Sequence, residues 1–186
     1  NTPDVLNDCV ADTAMGLTLN VLRKFPQSEN YLRSGFWISR GGYPLTVSLH
    51  GKTMGIIGLG RIGEAIAQRA QAHGMQIAYH NRRKKNVPYA YYADPVSLAR
   101  AADVLMVVTP GGAETKHLIN NQVLDALGAQ GFLVNISRGS VVDEAALLKH
   151  LQAGSIAGAG LDVFDQEPHM DPAFRSEEHT SELQSH

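Results

Sequence analysis

One hexapeptide restricts this chain more than any other feature: Gly58-Leu59-Gly60-Arg61-Ile62-Gly63. It lies where an apolar run (Met54 to Ile57) gives way to an amphipathic stretch from Ile62 to about His73, closed by Gly74. A second apolar run, Met75 to Tyr79, follows. Strand, glycine turn, helix and strand in that order make a βαβ unit. The three glycines then serve a tight turn, close approach of backbone to a pyrophosphate, and close helix-to-strand packing. The helix directs its unsatisfied N–H groups and positive dipole end toward the phosphates. The unit is expected to bind a dinucleotide.

The rest of the chain continues the alternation. Strands are expected over 54–58, 76–80, 89–92, 103–108, 131–136 and 156–162, with helices over 62–73, 95–101, 120–127 and 143–152. Short apolar strands alternating with helices predict an α/β fold, a doubly wound parallel sheet of Rossmann type with helices on both faces. Before it, residues 5–25 show Val10, Ala14, Leu17 and Val21 on one helical face, with Pro26 following the expected end. Residues 26–50 read as irregular and carry Phe36, Trp37 and Tyr43 among glycines and prolines.

Bulk properties exclude several classes. The 186 residues are 44% apolar, with 16 basic and 18 acidic side chains and a net charge of −2. That balance asks for neither nucleic acid nor a membrane surface, and no apolar run approaches a membrane span of ~18–20 residues. The single cysteine, Cys9, cannot form an internal disulfide and is expected as a buried thiol. A cytoplasmic location follows as the default expectation. The chain opens Asn1-Thr2-Pro3 without Met, and its last twelve residues, 175–186, break the apolar periodicity. They resemble an in-frame translation of a common sequencing-library adapter and are expected to be a sequencing artefact.

Charge at the strand ends indicates which dinucleotide and which chemistry. Where an NAD-binding unit carries an acidic residue at the end of its second strand, this chain has Asn81-Arg82-Arg83, continued by Lys84-Lys85. A carboxylate there would repel a 2′-phosphate, whereas Asn81 with adjacent guanidiniums receives one. NADP is therefore the expected cofactor and NAD the alternative; the run also suits a solvated basic loop. Arg82 is expected to make the direct contact, with Arg83 stacking on adenine or sharing the phosphate. Thr109-Pro110-Gly111-Gly112 ends the run Val104 to Val108, either as a wall of the cofactor crevice or as an ordinary turn. Arg138, just past the strand ending Val134-Asn135-Ile136-Ser137, can grip a substrate carboxylate and polarise its ketone, or serve as a loop ion-pair partner. Glu167, five residues past Asp162, can raise the pKa of a histidine acting as general acid, or stand in a solvated turn.

These residues together resemble the D-isomer-specific 2-hydroxyacid dehydrogenases over roughly residues 1–174. The resemblance rests on Gly51-Lys52-Thr53 leading into the glycine motif, on Asn135 to Asp143, and on Gly158-Ala-Gly-Leu-Asp-Val-Phe164 ending in Glu167-Pro168. Within the family, the basic run after Asn81 looks most like NADPH-dependent glyoxylate/hydroxypyruvate reductases. The resemblance implies hydride transfer from nicotinamide to a small 2-oxoacid, giving the 2-hydroxyacid. Arg138 would bind the carboxylate and carbonyl, and Glu167 would pair with the catalytic histidine. Arg61 and Ile62 would contact the pyrophosphate; Thr109, Pro110, Ile136, Ser137 and Asp162 would line the cofactor. An NAD-linked phosphoglycerate or lactate dehydrogenase, or a nucleotide-sensing corepressor-like module, is the alternative reading.

The resemblance also sets expectations about organisation. Residues 1–25 would be an inter-domain linking helix, 26–50 a homodimerisation arm, and 51–174 a C-terminally truncated dinucleotide domain. Most of the substrate domain would be absent, leaving an unpaired sheet edge. The family's catalytic histidine stands in a Pro-His-(Ile/Leu)-Gly-Gly type segment that this sequence does not contain. His169 directly follows Pro168 and does not fill that role, and His179 and His186 fall in the suspected artefact. His73, His80 and His117 read as helix-end, strand-end and packing residues without metal-ligand spacing. The chain alone is therefore expected to turn over little.

Overall fold

A computed structural model describes residues 3–175 and 181–183 of the chain. Strand β1 (Thr53–Ile57) is followed by β2 (Gln76–His80), β3 (Ala90–Tyr91), β4 (Val104–Val107), β5 (Phe132–Asn135), β6 (Gly158–Leu161) and β7 (Ser181–Leu183). They form one sheet in the order β3-β2-β1-β4-β5-β6-β7, and every pairing is parallel. Chain order reverses direction at β1, between β2 and β4. In such sheets the crevice for a ligand opens at the carboxyl ends of the strands beside that reversal.

Helices cover both faces, as the near-continuous apolar strands require. Helices α1 (Pro3–Arg23) and α4 (Arg61–Ala72) close one face over Met54, Ile56, Met106 and Val134. Helices α5 (Pro95–Ala101), α6 (Asn121–Leu127) and α7 (Glu144–Gln152) close the other over Ile57, Leu105, Val107 and Leu133. Each large aliphatic side chain buried this way contributes about 1.5–3 kcal/mol. Helix α1 lies so close to the sheet that a Cβ at Gly160 would stand 3.2 Å from that of Leu17. Polar contacts fix it to α4: Arg69 donates to Asp12 at 2.7 Å and to Asp8 at 3.0 Å.

Local chemistry explains the helix starts. Asp94 caps α5 by accepting from the Ser97 N–H at 2.8 Å, Asn120 caps α6, and Asp143 caps α7 through the Ala146 N–H at 3.0 Å.

Four expectations are corrected. Residues 26–50 are not wholly irregular: α2 (Phe25–Arg33) and α3 (Phe36–Arg40) occupy much of that stretch. Pro26 does follow α1, but it also sits in the first turn of α2, where its missing N–H has no intrahelical partner to lose. A left-handed Lys24 (φ 51°) makes the corner between the two helices. Cys9 is exposed, because it lies off the face of α1 that buries Ala11, Ala14 and Thr18. His117 is exposed, at φ 51°, and is not a buried packing residue. Finally, the edge of β6 is not left open, since Ser181–Leu183 pairs with Ala159–Leu161. That strand falls in the segment expected to be an artefact; residues 176–180 and 184–186 of it lie outside the described residues.

Candidate active site

The glycine loop after β1 is built from the reasons a glycine can be needed. At Gly58 the backbone takes φ 99°, and a Cβ would stand 2.8 Å from the Thr109 nitrogen at the end of β4. At Gly63 a Cβ would meet the Gly58 carbonyl oxygen at 2.7 Å, so the first turn of α4 seats directly on the loop. Gly60 is different. Its φ is −96°, open to any residue, and among the described residues no atom lies within 4 Å of where its Cβ would be. Nothing among the described residues demands glycine there, and the bare backbone leaves room for a ligand phosphate to approach. Gly60 also caps the N-terminus of the twelve-residue helix α4, where the free N–H groups of Arg61, Ile62 and Gly63 collect. The site therefore fits the pyrophosphate of a dinucleotide.

A crevice of about 1200 Å³ opens over this loop. Ten residues expected from sequence line it: Gly58, Gly60, Arg61, Ile62, Gly63, Asn81, Arg82, Arg83, Thr109 and Pro110. The side chain of Asn81 takes a part the sequence did not indicate. Its Oδ1 accepts from the Leu59 N–H at 2.7 Å and its Nδ2 donates to the Leu59 carbonyl at 3.3 Å. Both ends of the amide thus brace the glycine loop. Lys85 donates to the same carbonyl at 3.1 Å and pairs with Glu64 in the first turn of α4. Fully buried Tyr79 fixes Lys85 in turn, its hydroxyl accepting from the Lys85 N–H at 2.8 Å and donating to its carbonyl at 3.1 Å. Arg82 extends over the crevice and pairs with Glu114 at 2.7 Å.

Sequence reading missed Lys85, Glu114 and Asn7 of α1, all of which line the crevice. Lys85 belonged to a basic run already noted. Glu114 and Asn7 reach the site only through tertiary folding and carry no local signal.

The second group of expected residues lies at the ends of β5 and β6, outside the walls of that crevice: Ile136, Ser137, Arg138, Asp162 and Glu167. Gly111 joins the two groups. It lines the crevice, and a Cβ there would stand 2.8 Å from Cγ of Arg138. Buried Asn135 holds the Arg138 loop, accepting from the Ser137 N–H (3.1 Å) and hydroxyl (2.9 Å) and donating to the Arg138 carbonyl at 3.1 Å. The exposed Arg138 guanidinium donates to the Ser137 carbonyl at 2.6 Å.

Glu167 closes its own turn by accepting from the Phe164 N–H at 2.8 Å. Glu144 accepts from the next amide, that of Asp165, at 2.7 Å. Burial holds the Glu144 carboxyl above the usual glutamate range. The Asp165 N–H opposes that shift, while the carboxylates of Asp165, Asp171 and Glu167 add to it. Gly139 ties this turn to Arg138. A Cβ at Gly139 would fall 1.9 Å from the Phe164 carbonyl carbon and 2.0 Å from the Asp165 nitrogen. Among the described residues no group of side chains is arranged to hold a metal ion, and no helix is long and apolar enough to cross a membrane.

Comparison with known proteins agrees with this geometry. The family described as D-isomer specific 2-hydroxyacid dehydrogenase, NAD binding domain, matches residues 15–182. A glyoxylate/hydroxypyruvate reductase A of Arabidopsis thaliana is 51% identical over 171 residues, covering 91% of this chain and 54% of that protein. A 2-ketogluconate reductase of Gluconobacter oxydans is 46% identical over 186 residues, 59% of its length. Among solved structures, the NADPH-dependent glyoxylate/hydroxypyruvate reductase of Sinorhizobium meliloti, in complex with NADP and malonate, superposes with a TM-score of 0.93. It is 51% identical, and the match covers 99% of this chain and 58% of that one. The chain thus spans a little over half the length of these relatives.

Proposed function

The chain belongs to the D-isomer specific 2-hydroxyacid dehydrogenase family, and on that premise we propose that it serves a reductase of small 2-oxoacids, of glyoxylate/hydroxypyruvate type, that uses NADPH. The observation carrying the reading is the glycine loop, with open space over Gly60 and Arg82 reaching across its mouth. Gly60, Arg61 and Ile62 would hold the pyrophosphate at the start of α4. Arg82 and Arg83 would take the 2′-phosphate by charge-assisted hydrogen bonds. Asn81 and Lys85 act one step back, fixing the Leu59 peptide so that the loop keeps its shape. Thr109 and Pro110 would form the opposite wall, with Ile136, Ser137 and Asp162, outside that crevice, standing toward the reacting end.

A reduced dinucleotide held by these residues would supply the hydride for a keto carbon. Arg138 grips the substrate carboxylate and steadies the negative charge that develops on the ketone oxygen. Glu167 would orient a proton-donating histidine.

The arm supports a homodimer. Tyr31 packs edge-on against Phe36 and Tyr43, and Arg40 lies over the Phe36 ring, so the arm has a small core of its own. That core leaves Trp37 61%, Ile38 96% and Leu45 102% exposed, an apolar surface suited to a second copy. The exposed thiol of Cys9 suits a reducing, cytoplasmic location.

Paired fluorescence titrations with NADPH and NADH test the cofactor reading. NADPH is expected to bind more tightly, and Arg82→Ala to remove most of that preference. Tighter NADH binding would overturn it.

A further inference from the structure

Arg82 has a partner before any phosphate arrives. It stands two residues past the end of β2, and Glu114 stands in a short 3₁₀ turn (Ala113–Thr115) beyond the end of β4. Strands β2 and β4 flank β1 on opposite sides. The Arg82–Glu114 ion pair, at 2.7 Å, therefore spans the carboxyl end of β1, directly over the loop that begins α4. Both residues line the crevice, and both side chains are largely exposed, 87% and 79%.

The turn presenting Glu114 is held in place. The Thr115 hydroxyl donates to the Pro110 carbonyl at 2.8 Å, with the Gly112 carbonyl at 3.2 Å. The neighbouring polar groups are committed elsewhere: Asn81 to Leu59, and Lys85 to Leu59 and Glu64. Of these, Arg82 is the cation whose partner is a single exposed carboxylate. An exposed pair of this kind is worth a factor of about 1.5–5 in an equilibrium.

We infer that Glu114 is a specificity-determining residue, an internal competitor that holds Arg82 and must release it to a 2′-phosphate. The inference rests on the reading of Arg82 as the phosphate contact. A phosphate offers the guanidinium several oxygens in a bidentate geometry and displaces the carboxylate. The released carboxylate then faces the phosphate as a like charge across the crevice mouth. A ribose with a free 2′-hydroxyl gives Arg82 no comparable partner, so the Arg82–Glu114 pair persists. Glu114 thus weakens NADPH selectively and keeps it exchangeable.

The test is equilibrium and stopped-flow binding of NADPH and NADH to the wild-type chain, Glu114→Gln, Arg82→Ala and the double variant. Melting temperatures serve as a folding control. Glu114→Gln is expected to tighten NADPH about two- to five-fold, mainly by slowing its dissociation, and to leave NADH within about 1.5-fold. The gain shrinks when Arg82 is already alanine. Glu114→Asp, which keeps the charge on a shorter stem, falls between wild type and Glu114→Gln. Equal tightening of NADH, or an equal gain in both Arg82 backgrounds, overturns the inference. If Arg82→Ala weakens NADPH while Glu114→Gln changes nothing, the inference about Glu114 falls alone. If Arg82→Ala leaves NADPH unchanged, the underlying assignment of Arg82 falls as well.

Discussion

The side-chain amide of Asn81 and the backbone of Leu59 form a reciprocal pair of hydrogen bonds, 2.7 Å from the Leu59 N–H and 3.3 Å to its carbonyl. The residue at the end of β2 is thereby a brace for the glycine loop. A basic residue four positions on, Lys85, supports the same carbonyl.

Asn81→Ala removes both bonds and leaves the Leu59 N–H without its acceptor. A lost hydrogen bond of this kind costs about 1 kcal/mol, more where the abandoned group stays out of water. We expect a destabilisation of about 1–2 kcal/mol and about ten-fold weaker binding of NADPH and NADH alike. Thermal melts and titrations with both cofactors would show it; a loss confined to NADPH would assign Asn81 to the 2′-phosphate instead.

The glycines separate fold from ligand. Gly60→Ala meets no described atom within 4 Å, so the melting temperature should move little while dinucleotide binding falls at least about ten-fold. Gly63→Ala drives a methyl to within 2.7 Å of the Gly58 carbonyl oxygen and should cost about 1–3 kcal/mol of stability. If Gly60→Ala bound cofactor normally, the assignment of the pyrophosphate to that face would be wrong.

Opposite pH dependences are expected at two carboxyl groups. The Ser97 N–H and hydroxyl hold Asp94 below the usual aspartate range, so its contribution to stability is present above that range and lost as pH falls through the lowered value. Glu144 is held above the usual glutamate range by burial, so its contribution is present below that range and lost as pH rises through the raised value. Glu144→Gln keeps an acceptor for the Asp165 N–H and removes the charge. Denaturation curves should show this variant gaining on wild type from acid toward neutral pH; a constant difference across that span would contradict the assignment.

For the arm, sedimentation of wild type against an Ile38→Asp, Leu45→Asp double variant is decisive. A wild-type dimer and a monomeric, equally stable variant are expected, because both positions are fully or almost fully exposed within one chain.

Legibility from sequence followed the range of the interactions. Strands, helices and the glycine turn were readable because apolar periodicity, the positive φ at Gly58 and the contact of Gly63 with the Gly58 carbonyl are local. Helix α2 was missed because a proline marks both the end of one helix and the first turn of the next, and only the left-handed corner at Lys24 separates them. The crevice residues at three strand ends could be named because parallel topology brings strand ends together. The partners of those residues could not: Asn81 bracing Leu59 and Glu114 holding Arg82 are contacts across 22 and 32 positions. Nor did charge pattern show that a residue next to a basic run would turn inward rather than toward a ligand.

The absence of room for a Cβ at Gly139 links the two proposed reacting groups mechanically. Arg138 is carried on a backbone that rests on the Phe164–Asp165 peptide, and Glu167 is hydrogen-bonded to the Phe164 amide. The spacing between the proposed substrate grip and the proposed acid–base partner is thus gauged by main chain against main chain. A change that lifts one loop is expected to disturb the other.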